Sequence, residues 1–373
     1  MGHTHGSAGG DAGIPPAAHQ RHHDLNLLAP NETLVGDRAA VADALTAWRD
    51  DLSPLTSSTE HTAHVFRPLS DRLEAWEDAG LDTSLVRSGL RHARIRYAEF
   101  GLDRMLSLDR ILIGAESARP GAWGGFHHPN QGYRHLQMAA VITMYGPMDR
   151  AVPADPGLAM LDVVRAYAHD CLHYGSARRY VLVDGQVMRT QYGINWRRPD
   201  GRSYSAADPH DAVHTRNLGV VMEGACDREA RRITRYIAGR FGVAGPDSPS
   251  DPGWWAYRDV TGRLGAAVDP GDIGGRTSGE ADAYVAALCR YEQGVNQRYE
   301  RWLAEFGGGG PEDLHDLVVA AIVSGDAIRL CRWLDDRHGP GAFSAMFQAG
   351  GYLAPQQTPS SREMRPGSGQ PAV

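Results

Sequence analysis

The chain has 373 residues, 42% apolar and 22% charged, enough for one large or two modest domains with a buried core. Its formal charge of −7 and pI near 6.2 argue against nucleic acid as the main partner, and no apolar run reaches the roughly 18 residues of a membrane span. All 38 basic residues are arginines, which excludes chemistry built on a Schiff-base, pyridoxal-phosphate or P-loop lysine.

No charged start followed by an apolar stretch opens the sequence, so no secretory signal is expected. The cysteines, Cys171, Cys226, Cys289 and Cys331, lack C-x-x-C spacing, and a reduced, cytoplasmic setting is the expectation. Residues 1–36 are rich in Gly, Ala, Pro and His without periodicity and read as a disordered arm. N-terminal helices are predicted within 37–108, at 37–51, 65–79 and 85–100, from apolar stripes at helical spacing.

The region 109–241 changes character. A short strand is predicted at 111–113, a glycine-rich edge strand or turn at 122–129, and at 135–145 either a strand or a helix. From 157 an apolar helical run leads to His169 and His173 and stops at Gly175. A hairpin follows, with 181–183 and 186–194 joined by Asp184-Gly185. Helix resumes near His210 or Leu218 and runs to about Arg240; Asp208-Pro209 would cap the earlier start. The lobe 242–352 opens with a loop-rich stretch to 279, then shows helices at 280–306, 311–324, 327–338 and 342–348. Residues 353–373 read as a disordered tail.

Chemistry concentrates at two places. His169 and His173 stand four residues apart, which stacks two imidazoles on one helix face as a metal ion requires. Glu223 and Asp227 repeat that spacing on a later helix. An H-x-x-x-H pair alone is weak evidence in a chain with 17 histidines, and His210 with His214 forms another. Elsewhere, His315-Asp316 and the pairs His127-His128 and His61 with His64 read as surface or loop residues.

The order of these elements resembles the gluzincin-type zinc metallopeptidases over roughly 110–240. That resemblance implies an α+β, mainly helical fold, with a zincin-like small β-sheet next to the metal-site helices and a helical C-terminal lobe. It implies Zn2+ held by His169, His173 and Glu223, with Asp227 accepting a hydrogen bond from one ligand imidazole. Where the family has His-Glu-x-x-His, this chain has Asp170, about 1.5 Å shorter, at the general-base position. Oxyanion donors in the family lie downstream of the second histidine. The candidates are Tyr192, Tyr204, His210 and His214, with Tyr204 or His214 in that role.

The expected activity is hydrolysis of an amide or related bond in a small-molecule or peptide substrate, without nucleic acid or membrane. Two other readings stay open. HD-type metal phosphohydrolases are similar in placing a histidine, a His-Asp pair and an aspartate where His135, His169-Asp170 and Asp227 stand. A non-catalytic binding protein stabilised by its metal is the third. Arg178-Arg179 and Arg197-Arg198 would suit an acidic substrate, but solvated faces are their default reading.

Overall fold

Among the described residues helices dominate, in an α+β arrangement with two small sheets. A computed structural model describes residues 31–50, 66–108, 111–114, 125–128, 133–136, 152–153, 155–265 and 280–354. Strand β1 (Glu32–Val35) precedes helix α1 (Arg38–Asp50), and β2 (Phe66–Pro68) precedes α2 (Leu69–Asp78) and α3 (Ser84–Ala98). Strands β3 (Ile111–Gly114), β4 (Gly125–His128) and β5 (Tyr133–Leu136) join β2 in the order β2-β3-β5-β4. β4 is thus an edge strand, and the 135–145 segment begins as a strand.

Helix α4 (Pro156–Gly175) carries both histidines. Asp155 starts it by accepting a hydrogen bond from the Leu158 amide at 2.9 Å, and Pro156 fits the first turn, which needs no amide donor. Leu161, Val163, Ala168, Cys171 and Leu172 are fully buried on several faces, as for a helix enclosed by others. The helix ends at Gly175, as the sequence suggested, without a left-handed residue there. Gly175 lies in the last turn, where an added Cβ would sit 2.4 Å from Leu102 Cδ1, so close packing requires glycine. The last-turn carbonyls of His173 and Tyr174 are capped by the Arg178 guanidinium at 2.7 and 2.6 Å.

Strands β6 (Arg178–Val183) and β7 (Gln186–Tyr192) form the expected hairpin, with positive φ at Asp184 and Gly185, and β8 (Asn195–Trp196) follows. Their sheet has the order β1-β6-β7-β8, with β1 parallel to β6. This corrects the N-terminal boundary: residues 32–35 belong to the sheet rather than to an arm. Their partner lies far along the chain, so no local signal marks them.

Helix α5 (Leu218–Phe241) carries Glu223 and Asp227, and Asn217 caps it by accepting from the Gly219 amide at 2.7 Å. The helix starts here and not at Asp208, so His210 and His214 lie outside it and share no helix face. The loop-rich reading of 242–279 also needs correction: α6 (Pro252–Val260) lies within it, capped by Asp251. The lobe continues with α7 (Glu280–Tyr291), a π-helical turn at Glu292–Asn296, and α8 (Gln297–Phe306). Then come α9 (Pro311–Ser324), α10 (Ile328–His338) and α11 (Ala342–Phe347).

One apolar core runs through these helices, with α4 packed along α5 at its centre. Gly224 lets α8 approach α5, since a Cβ there would meet Tyr299 Cβ at 2.4 Å. No helix among the described residues is long and apolar enough to cross a membrane.

Candidate metal centre

The two long helices bring His169, His173 and Glu223 together, with one ligand-type atom of each within 4.8 Å of the others. His169 Nε2 and His173 Nε2 are 3.0 Å apart. Glu223 closes the triangle, with Oε1 3.3 Å from His169 Nε2 and Oε2 3.0 Å from His173 Nε2. Ligands at about 2.0–2.1 Å around a tetrahedral zinc stand roughly 3.3 Å from one another. The observed sides therefore fit one ion bound by both Nε2 atoms and the carboxylate.

Groups behind the triangle hold its members. The Tyr192 hydroxyl, from β7, lies 2.9 Å from His173 Nδ1 and donates weakly to the His173 carbonyl at 3.4 Å. Its lone pair then accepts from Nδ1–H, which turns the unprotonated Nε2 toward His169 and Glu223. Tyr291, at the end of α7, donates to Glu223 Oε1 at 2.9 Å. Asp227 Oδ1 faces His169 Nδ1 at 3.6 Å, too long for a hydrogen bond and close enough for an ionic contact.

Asp227 is itself enclosed by cations. Arg165 Nη2 approaches Oδ1 at 2.7 Å and Arg231 Nε approaches Oδ2 at 3.0 Å. Arg231 also pairs with Asp259, and with Glu292 Oε2 at 2.7 Å. Glu292 accepts from Asn296 at 3.1 Å, so both ends of the π-helical turn serve this network.

Electrostatics follow from these contacts. Burial disfavours a charged His169, but Glu223 and Asp227 outweigh it and push its pKa up to about 9. The metal-free centre thus holds a proton at neutral pH that a metal ion would displace. Burial opposes ionisation of Glu223, yet His169 and His173 keep its carboxyl well below the usual range. Asp227 is likewise held low against burial, by Arg165, Arg231 and His169. Burial and the charges of Asp227 and Glu223 push the Tyr291 hydroxyl far up, so it remains a donor.

The other sequence candidates lie differently. Asp170 is buried beside His169 on α4 but falls outside the close triangle. Tyr204 and His214, favoured as oxyanion donors, make their contacts elsewhere. The Tyr204 hydroxyl is 3.1 Å from Ser344 Oγ, its ring packed among Trp196, Phe343 and Tyr352. His214 is exposed and pairs with Glu305 at 3.3 Å. Of the four tyrosine and histidine candidates, Tyr192 is the one in hydrogen-bond contact with the triangle, because the hairpin folds back over α4.

The sequence reading missed Tyr291, Arg165 and Arg231. Helical spacing could have found the arginines, since Arg165 precedes His169 by one turn and Arg231 follows Asp227 by one. Nothing local marks Tyr291. His315, read with Asp316 as a surface residue, also needs correction: it is fully buried, whereas Asp316 is half exposed, and the two form a second close group with Glu229. There Arg96 already supplies the cation, with Nη2 3.0 Å from Glu229 Oε1 and 2.6 Å from Asp316 Oδ1. Tyr299 completes the group at 2.8 Å from His315 Nδ1, which ties α3, α5, α8 and α9 together.

Fold and site together define a mainly helical α+β protein with a candidate His-His-Glu metal centre. No protein-family model, curated protein or solved structure matches the chain.

Proposed function

We propose that this chain is a zinc-dependent hydrolase of metallopeptidase type, acting on an amide or related bond in a small-molecule or peptide substrate. The observation that carries this reading is the triangle of His169, His173 and Glu223, with sides of 3.0 to 3.3 Å. Three protein ligands leave a fourth position open, which is the pattern of catalytic zinc rather than structural zinc. Zinc held there supplies Lewis acidity, lowering the pKa of water and polarising a carbonyl.

The protein's own groups do the remaining work. Asp170, buried on α4 next to His169, is the general base that takes the proton from attacking water and delivers it to the leaving nitrogen. Tyr192 orients His173, Tyr291 fixes the Glu223 carboxylate, and Asp227 sets the direction of His169.

The phosphohydrolase reading would use Asp227 as a ligand. Both of its oxygens already lie against guanidinium groups, which favours an orienting role. The third reading, a metal-stabilised binding protein, needs the same triangle without the base.

Metal analysis of purified protein tests the proposal. About one zinc per chain is expected, lost in Glu223→Ala and His173→Ala. Asp170→Asn should keep the metal while losing hydrolysis of amide substrates. Protein that takes up no zinc overturns the reading. Metal surviving Glu223→Ala but not Asp227→Ala favours the phosphohydrolase, and zinc-bound protein without hydrolysis that Asp170→Asn leaves unchanged favours the binding protein.

A further inference from the structure

Strand β7 carries an arginine to which the described residues offer no counter-ion. Arg189 stands opposite Tyr180 in the β6–β7 ladder, and a register shift between Arg179 and Tyr180 places Tyr192 opposite Arg178. In a regular strand, residues three apart point to opposite faces. The shift restores them to one face, and the Arg189 guanidinium carbon lies 4.4 Å from the Tyr192 ring centroid. The Tyr192 ring in turn stacks on the His173 imidazole at 6.1 Å and 23°. Arg189 is therefore two stacking steps from the metal triangle.

The neighbouring arginines have fixed duties. Arg165 and Arg231 are spent on carboxylates, and Arg178 donates to the carbonyls of His173, Tyr174 and Ser176. Arg189 has no such work. Its Nη1 is buried without a hydrogen-bond partner, and it forms no ion pair with the described residues. Burial lowers its pKa. A guanidinium taken out of water without an anion is costly to keep, and its planar fork suits a carboxylate or phosphate. The side chain is not wholly enclosed, so part of it faces solvent from which an anion can approach.

We propose that Arg189 is the anion-recognition residue of the substrate site, receiving a carboxylate or phosphate of the molecule whose reacting bond lies at the His169–His173–Glu223 centre. The substrate class becomes an anionic amide or acyl compound, anchored beside Tyr192. Its role in catalysis rests on the hydrolase reading, whereas anion binding itself does not.

The test uses the full chain stripped of metal, so that zinc cannot itself accept the anion. Inorganic phosphate and N-acetylglycine are titrated separately by calorimetry into wild type, Arg189→Met, Arg189→Lys and the exposed-site control Arg197→Met. At least one probe should bind saturably, and the probe that binds identifies phosphate or carboxylate as the partner. Arg189→Met should weaken it about tenfold or more, Arg189→Lys less, and Arg197→Met little. Zinc uptake, measured on the same samples, should be unchanged in Arg189→Met.

Absence of binding by both probes overturns the proposal, as does equal affinity in wild type and Arg189→Met. Loss of zinc in Arg189→Met also overturns it, since Arg189 would then serve to place Tyr192. Arg189-dependent anion binding in a protein that never takes up zinc would sink the hydrolase reading and leave the anion site standing.

Discussion

The Tyr192 hydroxyl sits 2.9 Å from His173 Nδ1, on the side of the ring opposite the nitrogen that faces Glu223. A strand of the hairpin thereby selects the tautomer of a residue on a helix. Tyr192→Phe removes that contact while keeping the ring that stacks on His173. Zinc affinity should fall about 10- to 100-fold with the fold intact, read by competition with a chelator and by circular dichroism. Unchanged affinity would leave Tyr192 with packing alone.

Glu223 and Asp227 stand one turn apart on the same helix, yet their replacement should have opposite consequences. Glu223 is about a third exposed at 35%, so Glu223→Gln should abolish zinc binding with little loss of stability. Asp227 is fully buried between Arg165 and Arg231, so Asp227→Ala removes one of the two carboxylates, with Asp259, that both guanidiniums share. A loss of about 3–5 kcal/mol is expected in denaturant unfolding of the metal-free protein. Equal stability of the two variants would contradict this division of labour.

Glu229 links stability to acid. Burial opposes its ionisation, but hydrogen bonds from His315 and Arg96 bring its pKa down to about 2, below its ordinary 4.5. The unfolded chain takes up this proton first as pH falls. The contribution is thus fully present above about pH 4.5 and is lost progressively toward pH 2. Glu229→Gln should lower stability at pH 7 and flatten the acid limb of stability between pH 5 and 3. An acid limb as steep as wild type would assign that loss to other carboxylates.

Gly224 tests the helix contact behind the ligand. Its Cβ would approach Tyr299 Cβ and Cγ at 2.4 and 2.7 Å, atoms near the backbone that have little room to yield. Gly224→Ala gains helix propensity but should lose about 1–3 kcal/mol to overpacking. Melting temperature measures the balance, and a stabilised variant would show that α5 and α8 can separate at no cost.

Much of the centre was legible because helical spacing is a local property. His169 with His173, and Glu223 with Asp227, announce their shared faces within five residues each. The turn at Asp184-Gly185 was equally local, as both residues tolerate positive φ. Helix α6 was hidden by the prolines and glycines around it, although Asp251 and Pro252 are a sound helix start. The pair His210 and His214 shows that identical spacing means nothing without a helix beneath it.

The sequence by itself determined which side chains can share a helix face and which cofactor-dependent chemistries the absence of lysine excludes. Those are matters of backbone period and side-chain type, settled within a few residues. The tertiary structure alone decided that Tyr192 would meet His173, that Tyr291 would reach Glu223 from 68 residues away, and that Arg189 would meet no anion among the described residues. Such pairings depend on how helices close on one another and on a one-residue shift in a strand register. Packing of the whole core sets both, and no local pattern encodes either.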